Sequence, residues 1–296
     1  MTIAATQKLP GPAWAELPDV ELLAEWPPRE PLPDVDVLVA VVARVGPAEL
    51  DLLPGLRLVA NYGVGYDTVD VAACRARGIS VTNTPGVLDA AVADLTLALI
   101  LACRRHLVAS DRFVREQRWR RGWAEPELLG RDLAGSTLGL VGRGRIGSEV
   151  AARAEAFGMK VVHHRRSDGV PLEELLRTAD VVSLHVPLTE ETRGLLSRER
   201  LSLLQDGATL VNTARGAIVD EDALVGELVG GRISAGLDVF AAEPDVPEAL
   251  LDLPNVVLTP HVASATVETR AAMTRVLVQN VLAFLRGEPL PNTVDR

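Results

Sequence analysis

Cysteine is nearly absent. The 296 residues hold two, Cys74 and Cys103, each in an apolar or helical stretch and without metal-ligand spacing. A disulfide framework is thereby excluded, and two buried thiols in a reduced, cytoplasmic protein are expected. Aromatic residues are only 3% of the chain, so its core must be built from Ala, Val and Leu, a composition suited to parallel strands covered by helices. Positive charge is short as well, with 30 Lys and Arg against 40 Asp and Glu and a net charge of -10. Such a chain lacks the basic stripe that displaces counterions from nucleic-acid phosphates, and any anionic ligand must meet a local positive cluster. No apolar run reaches membrane-spanning length, and Met1 to Pro12 lacks the basic and apolar segments of a secretory signal. Nucleic acid, membrane and metal are therefore not expected partners.

The length suggests two domains with a cleft between them. Asp34–Val42 and Leu56–Asn61 read as apolar strands of a small α/β unit. From Asp89 to Arg118 the apolar residues Val92, Leu95, Leu99, Ala102 and Leu107 recur at helical intervals without Pro or Gly, which predicts one long helix linking two domains. The segment from Trp119 through Arg121, Gly122, Trp123, Ala124 and Glu125 to Pro126 breaks this pattern and reads as an exposed arm. Beyond it Thr137–Gly142, Lys160–His164, Asp180–His185, Thr209–Thr213, Ile233–Val239 and Val256–Pro260 alternate with helical stretches, the pattern of a doubly wound parallel sheet. A last amphipathic stretch, Thr266 to Leu285, is long enough to return the chain to the first domain.

Thr137 to Val141 leads directly into Gly142, Arg143, Gly144, Arg145, Ile146 and Gly147, the spacing of a dinucleotide fingerprint between a strand and a helix running to about Phe157. Gly142 permits a tight turn, Gly144 lets backbone approach a pyrophosphate, and Gly147 lets helix and strand pack closely. Arg145 and Ile146 open the helix, whose free N–H groups and dipole favour an anion. After the next strand an NAD site would carry an acidic residue for the ribose 2′-OH. Here Arg165, Arg166 and Ser167 stand instead, two guanidiniums and a hydroxyl suited to a 2′-phosphate. NADP(H) is expected ahead of NAD(H); the alternative is that the arginines are solvated and Asp168 takes the acidic role.

Three polar residues follow later strands: Arg215, Glu243 and His261. A 2-oxo acid undergoing reduction needs a cation for its carboxylate and a proton donor for its carbonyl. Arg215 offers a bidentate clamp, and imidazole is the side chain that titrates near neutrality. A neighbouring carboxylate, assigned to Glu243, would orient His261 and favour its protonated form. His106, His163, His164 and His185 read as structural.

These residues, with Asn61-Tyr62-Gly63-Val64-Gly65-Tyr66-Asp67, Asn83-Thr84-Pro85-Gly86, Val92-Ala93-Asp94, the Asp238 to Pro244 segment and Pro260-His261, occur in one order. The sequence resembles the D-isomer-specific 2-hydroxyacid dehydrogenase family from about Leu38 to Pro291, most closely its glyoxylate/hydroxypyruvate reductase branch. The family's catalytic arginine, glutamate and histidine fall on Arg215, Glu243 and His261. The resemblance implies two Rossmann-like α/β domains, a discontinuous flavodoxin-like substrate domain (1–98 and 267–296) and an inserted NADP-binding domain (99–266). It implies that the Val64 and Gly65 amides hold the substrate carboxylate opposite Arg215 across the cleft, and that Thr96, Pro187, Thr213, Ala214 and Asp238 contact the cofactor, Asp238 near the nicotinamide amide. It also implies a homodimer, for which Trp119 and Trp123 suit the interface. One departure is the Pro-rich region before Leu38, which leaves the first domain expected to lack elements that line the pocket in longer relatives. The alternatives are an NAD-dependent enzyme like phosphoglycerate dehydrogenase and a non-catalytic, dinucleotide-sensing module like the family's corepressors. The first would want an acid at position 165 and a regulatory domain after Arg296; retention of all three catalytic residues opposes the second.

Overall fold

The structure, a computed structural model, describes residues 1–120, 122–123 and 126–294. Arg121, Ala124 and Glu125 of the expected arm, and the last two residues of the expected substrate domain, lie outside the described residues. The chain divides into two compact units, Met1–Leu88 with Ser264–Arg296, and Asp89–Ala263.

The first unit is built on β1 (Thr2–Ala5), β2 (Val20–Leu22), β3 (Val35–Ala40), α1 (Pro47–Asp51), β4 (Leu58–Asn61), α2 (Val71–Ala76) and β5 (Ser80–Thr82). Its strands pair in parallel in the order β2-β1-β3-β4-β5, the flavodoxin-like order. Val37, Leu38, Val39 and Ala40 of β3 are all completely buried, because a central parallel strand is covered on both faces and needs a continuous apolar run. The Pro-rich region before Leu38 nonetheless supplies β1 and β2. Its prolines all fall between strands, where no ladder N–H is needed.

The second unit begins with α3 (Asp89–Arg104) and α4 (Leu107–Arg115). One long helix was expected here, but the chain breaks after Arg104. His106 takes a left-handed φ of 48°, and the Arg131 N–H donates to the Arg104 carbonyl at 2.7 Å. The Arg104 side chain reaches the Asp132 carbonyl at 3.1 Å. The neighbouring segment thus ends the helix by tertiary hydrogen bonding, which periodicity does not reveal. All of α3 belongs to this unit, packed on the second sheet and the fingerprint helix, so the division falls at its start and not near residue 98.

There follow β6 (Thr137–Val141), α5 (Arg145–Ala156), β7 (Lys160–His164), α6 (Leu172–Thr178), β8 (Val181–Leu184), α7 (Arg198–Leu201), β9 (Thr209–Asn212), α8 (Glu221–Val229), β10 (Ser234–Leu237) and β11 (Val256–Leu258). These six strands lie parallel in the order β11-β10-β9-β8-β6-β7. From β6 the chain goes to β7 on one side and returns to β8 on the other, so β6 ends at the topological switch point, where open α/β sheets bind ligands. The chain then closes the first unit with α9 (Val267–Leu285), whose N-cap Thr266 side chain accepts from the Thr269 N–H at 3.1 Å. Among the described residues no helix is long and apolar enough to cross a membrane.

Candidate active site

The expected ligand-binding residues of the second unit, Thr96 on α3 apart, follow the carboxyl ends of its strands. The turn after β6 needs its glycines. Gly142 has φ 96°, and a Cβ there would stand 2.6 Å from the His185 carbonyl oxygen. At Gly147 a Cβ would lie 2.3 Å from the Gly142 carbonyl oxygen, so α5 could not begin so close to β6. A Cβ on the exposed Gly144 would meet nothing within 4 Å, leaving open space at the N-terminus of a 12-residue helix. That space, beside free N–H groups and a positive dipole end, fits a pyrophosphate. Arg145 and Ile146 form the first turn of α5.

Past β7, Arg165 to Asp168 close a turn by reciprocal backbone hydrogen bonds of 2.9 and 3.3 Å. Arg165 and Arg166 are exposed and paired with acids, Arg165 Nε at 3.6 Å from Asp168 Oδ1 and Arg166 Nη1 at 2.9 Å from Glu191 Oε2. Asp168 is occupied twice more, by Ser167 Oγ at 3.0 Å and by His163 Nε2 at 3.1 Å. The hydrogen bonds from His163 and Ser167 hold its carboxyl below the ordinary value. Pro187 is exposed after β8.

Thr96 and Thr213 are buried with their hydroxyls 3.0 Å apart, and the Ala214 N–H donates to Asn212 Oδ1 at 3.0 Å. The Arg215 side chain is partly buried, with Nη1 2.6 Å from the Ala214 carbonyl. The loops after β10 and β11 meet here: Glu243 Oε2 lies 2.7 Å from His261 Nδ1, and Glu243 Oε1 accepts from the Phe240 N–H at 3.0 Å. Burial alone would raise the Glu243 carboxyl. The hydrogen bonds from His261 and Phe240, with the charges of His261 and Arg215, outweigh it and hold the group below its ordinary value. A carboxylate can only accept, so it places the proton on Nδ1 and leaves Nε2 for a ligand.

His261 holds a left-handed φ of 53°, a costly conformation for a residue other than glycine. Asp238 explains how it is kept. Its fully buried carboxylate accepts from Thr259 Oγ1 at 2.6 Å and from the N–H groups of Val262 and Ala263, each at 2.9 Å. Asp238, expected beside the nicotinamide, is therefore also the tie that shapes the histidine loop, a role that sequence spacing could not show. Val64 and Gly65 belong to the first unit, partly exposed on the loop after β4. Among the described residues no group of His, Cys, Asp or Glu is arranged for a metal.

A family model described as D-isomer specific 2-hydroxyacid dehydrogenase, NAD binding domain, matches residues 97–263. The glyoxylate reductase of Korarchaeum cryptofilum is 48% identical over 281 residues, covering 90% of this chain and 85% of that protein. The chain belongs to the D-isomer specific 2-hydroxyacid dehydrogenase family. Among solved structures, a Thermus thermophilus protein superposes with TM-score 0.91 at 47% identity, over 99% of this chain and 100% of that one. An NADPH-dependent glyoxylate/hydroxypyruvate reductase from Sinorhizobium meliloti, solved with NADP and malonate, superposes with TM-score 0.88 at 38% identity, over 99% and 96% of the two chains.

In this dehydrogenase one histidine read as structural abuts the fingerprint. His185 Nε2 lies 2.8 Å from the buried Ser183 hydroxyl, and burial pushes the imidazole down to about 4. A histidine held neutral this way contributes stability above its unfolded value near 6.5 that is lost as pH falls toward 4. The residue keeps some solvent access, which trims the effect to about 2 kcal/mol. Urea denaturation from pH 7 to pH 4 is expected to show a steeper loss of stability in wild type than in His185→Asn by that amount; equal slopes would remove the assignment.

Proposed function

We propose that this dehydrogenase reduces a small 2-oxo acid, glyoxylate or hydroxypyruvate foremost, to the D-2-hydroxy acid, with NADPH ahead of NADH. The observation that carries the reading is the His261–Glu243 pair at 2.7 Å, beside Arg215 and in the same unit as the fingerprint. Glyoxylate reductase relatives and the NADPH-dependent S. meliloti enzyme support the substrate and cofactor classes. Neither the phosphoglycerate-type alternative nor the sensing module gains support from an observation of comparable weight.

A dihydronicotinamide held at the fingerprint would supply the hydride for C2 of the oxo acid. Arg215 orients the substrate carboxylate as a planar, doubly donating cation, and the Val64 and Gly65 amides are assigned to the same carboxylate from the family resemblance. Glu243 accepts from Nδ1–H, so Nε2 of the imidazolium gives its proton to the carbonyl oxygen, and the carboxylate stabilises the charge before transfer. Asp238 holds the loop in the conformation this needs. Gly142, Gly144, Arg145, Ile146 and Gly147 would cradle the pyrophosphate, and Arg165, Arg166 and Ser167 the 2′-phosphate. Thr96, Pro187, Thr213, Ala214 and Asp238 are assigned to the remaining cofactor contacts. Asp168 already accepts from His163 and Ser167 and faces Arg165 at 3.6 Å, contacts that compete with a ribose hydroxyl for its oxygens.

A homodimer in the cytoplasm completes the proposal. Trp119 and Trp123 are 59% and 99% exposed, and Leu107, Val108, Val114 and Leu129 of the same unit are exposed too, apolar side chains of the kind a partner copy covers. Both cysteines are buried and unpaired. The expected result is oxidation of NADPH at 340 nm with glyoxylate or hydroxypyruvate, slower with pyruvate, by a species sedimenting at about twice 31.6 kDa and recovered in the soluble fraction of cells. No turnover of any 2-oxo acid by enzyme that binds NADPH would overturn the reductase reading. A species of one chain mass, or recovery with membranes, would remove the corresponding assignment.

A further inference from the structure

β4 and β5 are neighbours in the first sheet, with Ala60 opposite Thr82. Each strand delivers an asparagine to the same loop: Asn61 as the last residue of β4 and Asn83 as the first after β5. Asn61 Nδ2 donates to the Gly63 carbonyl at 3.2 Å and the Gly65 carbonyl at 2.9 Å. Asn83 Nδ2 donates to the Val64 carbonyl at 2.9 Å, and the Thr84 N–H adds a bond to Gly63 at 3.0 Å. Three successive carbonyls are thus pinned by donors from the protein. In a trans peptide the N–H points away from the carbonyl of its own plane. Holding those carbonyls therefore turns the N–H groups of Val64, Gly65 and Tyr66 away from the donors that hold them.

The pinning side chains are themselves fixed. Asn61 is buried. The Asn83 N–H donates to the Asn292 carbonyl at 3.2 Å, and the Asn83 carbonyl accepts from Asn280 Nδ2 at 3.5 Å. Asn280, fully buried on α9, uses its Oδ1 to accept from the Asn292 N–H at 3.0 Å. The chemistry of the donors matters. An amide can donate twice without bringing charge, whereas an aspartate would set a carboxylate against carbonyl oxygens and repel an anionic ligand.

We propose that Asn61 and Asn83 are positioning residues for the substrate carboxylate, holding the Gly63–Gly65 carbonyls so that the Val64 and Gly65 amides form its cradle. This rests on the assignment of those two amides to the carboxylate. Beside Arg215, part of the hold on the substrate carboxylate then comes from two uncharged side chains that never touch it.

The test pairs kinetics with amide spectroscopy, using oxamate as a stable stand-in for a 2-oxo acid. Asn61→Ala and Asn83→Asp are expected to raise the glyoxylate KM and the oxamate inhibition constant by about tenfold or more. They should leave kcat within a few-fold and the NADPH dissociation constant unchanged. In wild type with NADPH, oxamate should shift the Val64 and Gly65 amide resonances; the variants should need correspondingly more oxamate for the same shift. If those resonances move in wild type while both variants keep the wild-type KM, the positioning role is overturned and the cradle assignment stands. If oxamate inhibits wild type without moving them, the cradle assignment fails and takes this inference with it. Should Asn61→Ala melt well below wild type, Asn83→Ser carries the test, since it removes one hydrogen bond at a partly exposed position, and an unchanged KM there overturns the role.

Discussion

His261→Asn is expected to lower kcat for glyoxylate reduction by about a thousandfold while leaving NADPH binding unchanged. Asparagine can occupy the loop, since it tolerates the left-handed conformation better than most residues, so the loss reports chemistry and not a collapsed backbone. What disappears is the proton donor to the carbonyl oxygen, a contribution worth about 10² to 10⁴ in rate. Glu243→Gln should cost less, because the amide can still occupy the space beside Nδ1 but cannot stabilise the imidazolium. The held-down Glu243 carboxyl keeps the pair intact across neutral pH, and the pair is lost only as the pH falls through that lowered value. Stopped-flow measurement of single-turnover NADPH oxidation separates the proton-transfer step from product release. Retention of more than about a tenth of the wild-type rate by His261→Asn would show that the proton comes from elsewhere.

The second unit was the more legible in sequence because its strands are long apolar runs closed by chemistry-bearing residues. Lys160–His164 was read with the bounds the structure gives, and Thr137–Gly142 and Thr209–Thr213 overran theirs by one residue. The first unit was read less well for a physical reason. β1, β2 and β5 are three or four residues long, too short for periodicity to separate them from apolar loops, and β2 lies at the sheet edge among prolines. The break between α3 and α4 escaped for a different reason, since Arg104 and His106 suit a helix locally and the stop comes from hydrogen bonds made by the segment around Arg131. Of the site, Arg215, Glu243 and His261 could be read from residue type and strand-end position. The supporting groups could not. Asp238 was assigned to the cofactor, and the carboxylate's three bonds into the 259–263 loop depend on how β10 and β11 pair. Asn61 and Asn83 were seen as members of motifs, but their convergence on one loop exists only once β4 and β5 are neighbours.

Replacing Arg165 and Arg166 together by alanine is expected to erase the NADPH preference, lowering kcat/KM for NADPH about a hundredfold and for NADH little. Each charge-assisted hydrogen bond to a phosphate contributes about 1.5 to 3 kcal/mol, but both arginines must first loosen their pairs with Asp168 and Glu191. Those pairs are exposed and worth about 0 to 1 kcal/mol each, so the phosphate wins and the net effect falls at the lower end of the sum. Because the cost lies in cofactor capture, it should appear in KM for NADPH with kcat nearly unchanged, and high salt should reduce wild-type affinity for NADPH more than for NADH. Asp168→Ala is the decisive companion. If Asp168 serves only to order the turn and to hold His163, its loss should leave NADH kinetics nearly as they were and, by freeing Arg165, should not weaken NADPH. A large rise in KM for NADH in Asp168→Ala, with NADPH indifferent to both arginines, would instead make Asp168 the ribose acceptor and the arginines solvated surface charge.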